Sequence, residues 1–217
     1  MIELSSASVV FAFVTGLGCT AALVSTRARR QRAYAASKTI ASLGFVGMAL
    51  AAGATGAVWS SVALGALVLS AAGDVALAVQ GRRGLLVGLA FFAVAHSVYF
   101  AAFALYGTSG VIFGAAAVAA TLFSGGAWLS LRDRIPREMR KPVGAYLVIV
   151  AAMLAAGTSA GISHRMWLLV CGVLLVAGSD IAVGRERFGK RLFVNKLLGL
   201  PAYYAGQTLI AVSLAGP

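Results

Sequence analysis

The chain has 217 residues, of which 60% are hydrophobic and 11% charged, with a mean hydropathy of +0.92. Soluble domains carry about 25% charged residues, so a water-soluble enzyme is excluded. A formal net charge of +12 would suggest nucleic acid in a soluble chain, but here the basic residues sit between apolar runs, where they orient a membrane protein and meet anionic lipid heads.

Apolar runs of about 20 residues satisfy their backbone polar groups only as helices, which predicts an all-α polytopic bundle rather than a barrel. Taken in order, runs between charged breaks give eight spans: 6–25, 36–54, 58–80, 84–106, 109–130, 142–160, 165–184 and 193–215. Glu3 and the absence of a basic segment before the first run suit a retained first helix rather than a cleaved signal. Cys19 and Cys171 both fall within spans, in no metal-ligand spacing, and read as small packing residues. Of the 18 Lys and Arg, all but Arg165 lie in or beside connections 1–2, 3–4, 5–6 and 7–8. The positive-inside rule makes those connections cytoplasmic and both termini non-cytoplasmic.

The chain reads as one integral membrane domain, 1–217. Four spans followed by four, with Asp74 on the third and Asp180 on the seventh, suggest parallel repeat halves 1–107 and 108–217. Lys38 and Lys141 each open the second helix of a half, and His96 follows Asp74 at nearly the distance at which Tyr203 follows Asp180. Such a repeat would bring helices three and seven to equivalent places, facing one another. The pairs Gly84/Gly88, Gly110/Gly114 and Gly157/Gly161 fit close helix packing, but in a chain this rich in small residues the pattern says little.

A carboxylate deep in a membrane span costs roughly 2.5–3.5 kcal/mol even on low scales, so Asp74 and Asp180 mark a site by default. Counted from the predicted span ends, they lie roughly 9 Å and 7 Å from the cytoplasmic side. His96 and Tyr99 share a face of the fourth helix. Asn195, Gly199, Tyr203 and Gln207 recur every four residues on the eighth, beside a kink at Pro201. Each residue also has a structural reading. The carboxylates could be held by Lys38, Lys196 or backbone amides; His96, the tyrosines and Gln207 could be interhelical hydrogen-bonding groups; both lysines could snorkel. His164 falls in an outer connection and reads as solvated.

Two carboxylates in a low-dielectric site ionise unequally, so one serves as acid and the other as base, which suits hydrolysis through an oxocarbenium-like state. A zinc hydrolase would need three ligands, with only His96, Asp74 and Asp180 at hand. A serine triad lacks a nucleophile-elbow sequence around Ser70, Ser97 or Ser179. Intramembrane Asp and His also serve proton-coupled transporters, and a non-catalytic lipid-binding protein is the third class.

The eight spans, the Gly73-Asp74 step, Ala95-His96-x-x-Tyr99, Gly178-Ser179-Asp180 and Tyr203-Tyr204-Ala-Gly-Gln207 together resemble the YhhN-like lysoplasmalogenase family. The resemblance spans nearly the whole chain and rests on the order and spacing of short motifs. It implies an integral membrane hydrolase that cleaves the 1-alkenyl ether of a lysoplasmalogen to a fatty aldehyde and a glycerophospho-headgroup compound, with no cofactor and no metal. In that reading Asp74 and Asp180 are the catalytic pair, their roles not divided. His96, Tyr99, Tyr203, Gln207 and Asn195 position water and glycerol hydroxyls, and Lys38 or Lys196 meets the phosphate. The expected partners are a lysophospholipid substrate and membrane lipids, without nucleic acid, in a bacterial inner membrane; the sequence sets no oligomeric state.

Overall fold

A computed structural model describes residues 5–79, 81–190 and 192–215. Its eight helices are α1 (Ser6–Arg27), α2 (Gln31–Ala51), α3 (Val58–Ala78), α4 (Arg82–Tyr106), α5 (Gly110–Leu131), α6 (Arg137–Ser163), α7 (Trp167–Phe188) and α8 (Phe193–Ser213). Ser5 caps α1, its hydroxyl accepting from the Ser8 amide at 3.1 Å and so satisfying one of the free donors of a first turn. Glycines at positive φ, Gly81 and Gly107, bracket α4, a conformation open to them because they lack a Cβ.

The predicted spans hold, with three ends moved. α2 begins at Gln31, α6 at Arg137 and α7 runs on to Phe188. In each case the helix continues into the basic connection, because Arg and Lys are good helix formers whose stems lie along the bundle while their heads reach water. α6 even continues back through Pro142, whose missing N–H falls near the helix start. Lys38 therefore does not open a helix but sits two turns inside α2. By length and composition seven of the described helices can cross a membrane, α8 being the exception. Asn195, Lys196, Tyr203, Tyr204 and Gln207 lower its apolar content.

Each odd helix packs on the next to form a hairpin, α1 with α2, α3 with α4, α5 with α6 and α7 with α8. The hairpins join where α4 meets α6, α2 meets α3, α6 meets α7, and α8 meets α1 and α2. α3 and α7 do not pack on one another; both line a cavity that lies between them, and one side-chain hydrogen bond joins them at its mouth. Phe45, Leu67, Tyr99, Phe103, Met153, Leu169 and Ile210 form the buried centre. The outside is apolar as well: Phe13 and Leu17 on α1 and Val111, Val118 and Leu122 on α5 are exposed, an apolar surface that lipid, not water, covers.

One close crossing is between α7 and α8. A Cβ on Gly206 would lie 2.8 Å from the Gly172 carbonyl oxygen and 2.9 Å from the Val176 amide nitrogen, so backbone meets backbone with nothing able to give way. Neither residue belongs to the small-residue pairs read from sequence, and Gly110 and Gly114, which do, face open space. Gly206→Val is expected to destabilise the bundle by about 1–3 kcal/mol, as overpacking does, while Gly114→Ala stays within about 0.5 kcal/mol. Unfolding of the purified proteins in detergent measures both.

Candidate functional site

A cavity of about 540 Å³ lies between the two halves of the chain, at the end of the bundle where α2, α4, α6 and α8 begin. It has two kinds of wall. Tyr34 and Lys38 of α2, Asp74 of α3, Ser179 and Asp180 of α7, and Asn195, Lys196 and Tyr203 of α8 make one side polar. Leu85, Leu89 and Phe92 of α4, Leu131 of α5 and Val143 and Leu147 of α6 make the other apolar. The connections at this end carry the basic residues.

Asp74 and Asp180 both reach the cavity, each from its own setting. Asp74 is 2% exposed and its two oxygens are separately engaged. Lys38 Nζ lies 2.8 Å from Oδ1, and the Ser42 hydroxyl donates to Oδ2 at 2.6 Å. Lys38 is 4% exposed, so its reading as a snorkelling anchor is corrected; Asp74 is the counter-charge that makes its burial tolerable. Ser42 lies four residues after Lys38 and thus on the same helix face. The Tyr204 hydroxyl donates to the Lys38 carbonyl at 3.3 Å and ties α8 to this corner. Asp74 retains lone pairs beyond those two contacts, since each carboxylate oxygen accepts twice.

Asp180 pairs instead with a histidine. His96 is fully buried and its Nε2 stands 3.3 Å from Asp180 Oδ2. The two atoms are close enough for an ion pair yet off the line of a hydrogen bond, and neither has another hydrogen-bond partner. His96 Nδ1 lies 2.7 Å from the Phe92 carbonyl oxygen, which can only accept, so Nδ1 carries a proton. Two bare acceptors at the Nε2–Oδ2 separation would repel. A proton between them would make the pair imidazolium with carboxylate or imidazole with carboxylic acid. Tyr146 of α6 completes the setting: its ring lies edge-on to His96 at 5.6 Å and its hydroxyl interacts with Asp180.

Measured to the observed helix ends, Asp74 is four residues from the end of α3 and Asp180 eight from the end of α7. At 1.5 Å per residue these are about 6 Å and 12 Å. α7 extends further than its apolar run, into the basic connection, so its length beyond Asp180 includes helix outside the span.

The remaining predicted residues divide. Tyr203, Asn195 and Lys196 line the cavity, whereas His96, Tyr99 and Gln207 lie behind its wall. The Tyr99 hydroxyl donates to Gln207 Oε1 at 2.7 Å, an interhelical bond with both partners fully buried. Tyr203 reaches toward the Ser70 carbonyl at 3.5 Å. Asn195 donates to the Lys190 carbonyl at 2.8 Å and fixes the α7–α8 turn at the rim. Lys196 Nζ lies 4.0 Å from Glu186 Oε1 and 4.9 Å above the Tyr34 ring. His164 is exposed and rests against Tyr106, and Cys19 and Cys171 are both free thiols. Among the described residues no three His, Cys, Asp or Glu side chains converge on one point.

Sequence reasoning missed Ser42, Tyr146 and Arg187. Arg187 donates to the Leu77 carbonyl at 2.9 Å, capping the end of α3 from α7 and placing a cation in the cavity mouth. The spacing of Ser42 from Lys38 was a usable signal. For Tyr146 there was none, since its relevance depends on how α6 crosses α4 and α7.

The chain is 35% identical over 150 residues to "Lysoplasmalogenase TMEM86B" of Homo sapiens, covering 69% of this chain and 61% of the human protein. It is 30% identical over 153 residues to "Lysoplasmalogenase TMEM86A" of Bos taurus, covering 68% and 62%. The chain thus spans about three fifths of the length of the curated relatives it matches. No solved structure matches it. The YhhN family matches residues 33–214, which takes in every residue assigned to the cavity's polar wall. The chain belongs to the YhhN family.

Proposed function

We propose that this chain is a membrane hydrolase that cleaves the sn-1 vinyl ether of lysoplasmalogens, releasing a fatty aldehyde and a glycerophospho-headgroup compound. The observation that carries the reading is the pair of carboxylates, Asp74 and Asp180, on one cavity with polar and apolar lining, each with a different partner. The names of the curated relatives support the substrate class. A lysolipid entering from the adjacent leaflet would lay its chain along Leu85, Leu89, Val143 and Leu147 and leave its phosphate near Lys196 and Arg187 at the mouth.

The roles divide by partner. Asp180 is the acid: the proton it shares with His96 passes to the alkenyl carbon one removed from the ether oxygen, leaving an oxocarbenium ion at the carbon bonded to that oxygen. Asp74 is the base, held as a carboxylate by Lys38. It takes a proton from the water that adds to the cation. The resulting hemiacetal collapses: Asp74 gives its proton to the glycerol oxygen as the bond to that oxygen breaks, and the hemiacetal hydroxyl proton passes to Asp180 as the aldehyde forms, restoring both groups. Water is consumed and nothing else is. Tyr203 contributes a hydroxyl to the cavity wall, while His96 acts through Asp180 and is a positioning residue.

The two halves, 1–107 and 108–217, each supply one carboxylate in this reading. α2 brings Lys38 to Asp74 and α6 brings Tyr146 to Asp180, and α2 packs on α8 as α6 packs on α4. A mouth at the basic end makes it the cytoplasmic end of an inner-membrane protein, with both termini on the other side.

Protonation at carbon leaves a mark. Turnover of an alkenyl lysolipid in D2O by the purified protein is expected to give aldehyde with one deuterium on the carbon next to the carbonyl, read by mass spectrometry after immediate trapping. In water labelled with oxygen-18 the glycerol product stays unlabelled. Absence of aldehyde release, or label in the glycerol, removes the reading.

A further inference from the structure

A second cavity, of about 330 Å³, opens beside the first at the turns joining α1 to α2 and α7 to α8. Thr26, Arg27, Arg29, Glu186, Phe193 and Lys196 line it. Glu186 and Lys196 also line the larger cavity, so the two are continuous through this pair. Its α1 residues lie outside the stretch matched by the family.

Two polar atoms here are buried without a hydrogen-bond partner, the Glu186 Oε2 and the Thr26 hydroxyl. Glu186 faces Lys196 only through its other oxygen, at 4.0 Å. Arg29 adopts φ 55°, a left-handed conformation uncommon outside glycine, while its side chain lines the cavity. A buried carboxylate oxygen wants a donor, and a hydroxyl beside three cations suits an anion with several acceptor oxygens.

We infer that this second cavity is the headgroup subsite, and that it selects a phosphate bearing a primary ammonium. The inference rests on the hydrolase reading above and adds to it the headgroup class. Arg27, Arg29, Lys196 and the Thr26 hydroxyl hold the phosphate, and Glu186 Oε2 accepts hydrogen bonds from the ammonium. Glu186 lies six residues beyond Asp180 on α7, about 9 Å along the axis toward the mouth. That is a distance the glycerol, phosphate and ethanolamine units of one lysolipid span, with its ether at Asp180.

The choice of a primary over a quaternary ammonium follows from donors and rings. An –NH3+ group brings three N–H donors to the orphaned oxygen, whereas a trimethylammonium brings none and is held by aromatic faces. The ring that lines this cavity, Phe193, already carries a cation, and so does Tyr34 of the larger cavity beside it. Arg27 lies 5.3 Å from the Phe193 ring centre, and Lys196 and Lys38 lie 4.9 Å and 5.9 Å from that of Tyr34.

The test is binding of saturated 1-O-alkyl lysophospholipids, which lack the vinyl group to be cleaved, to the purified full chain in detergent. The headgroup series runs from phosphate alone through ethanolamine, its N-methyl and N,N-dimethyl forms, to choline. In the unaltered protein, Kd is expected to rise along the methylation series by about tenfold, the worth of one charge-assisted hydrogen bond. Glu186→Gln flattens the series to within about twofold, and Arg29→Ala weakens every probe, phosphate alone included. Equal affinity across the series in the unaltered protein overturns the inference without any variant having to fold, as does an unchanged slope in Glu186→Gln. Aldehyde release from an alkenyl lysolipid is measured on the same preparation. Turnover with a flat series overturns this subsite alone, while an intact slope without turnover upholds the subsite and overturns the hydrolase reading.

Discussion

Asp180→Asn is expected to lower the turnover number for alkenyl lysolipid cleavage by at least about 10², the lower end of what a positioned general acid supplies, with little change in stability. The substitution keeps the shape of the side chain and removes only its capacity to hold and release a proton. His96 keeps its Nδ1 bond to the Phe92 carbonyl, and the new amide donates to the Nε2 lone pair that a proton had bridged. The packing of α4, α6 and α7 around the pair is therefore retained. Initial rates of aldehyde release and the unfolding midpoint in detergent, measured together, check the claim; a variant that folds and turns over at the full rate would remove Asp180 from the chemistry. Replacing His96 by Asn should cost about tenfold in turnover number with KM unmoved, because His96 touches Asp180 and does not line the cavity.

The division between what was and was not legible in the sequence is physical. Helix number and order follow from apolar runs and basic breaks, because a span must satisfy its own backbone and charges must stay near water. The two carboxylates stood out for the same reason. What the sequence does not carry is pairing. Asp74 meets Lys38 and Asp180 meets His96 only through the crossings of α2 with α3 and of α4 with the helices around it, and no periodicity within one helix reports a crossing. For Lys38 the sequence left two readings, partner of a carboxylate or snorkelling anchor, and the first holds because a counter-charge arrives from another helix. Tyr99 and Gln207, read as positioning groups at the site, bond to each other behind it, since a polar stripe on one helix does not reveal whether water or another side chain meets it.

Lys38→Met is expected to destabilise the protein by about 3–5 kcal/mol, more than any other single change considered. It removes the cation from a buried pair and strands Asp74, at 2% exposure, with only the Ser42 hydroxyl. Adding Asp74→Leu to it replaces the whole pair with apolar groups, and the combined variant should regain most of the lost stability, since such replacements are often neutral or better. Turnover separates from stability at this point. If Asp74 were only a structural counter-ion, the stable double variant would hydrolyse alkenyl lysolipids as the unaltered chain does. If it is the base that accepts the proton of the attacking water, the double variant stays folded and at least about 10² slower. Unfolding in detergent and aldehyde release on the two variants decide between a carboxylate kept for the fold and one kept for the reaction. The geometry favours the second: Asp74 faces the cavity with lone pairs to spare, and the lysine that neutralises it also holds it in the form a base requires.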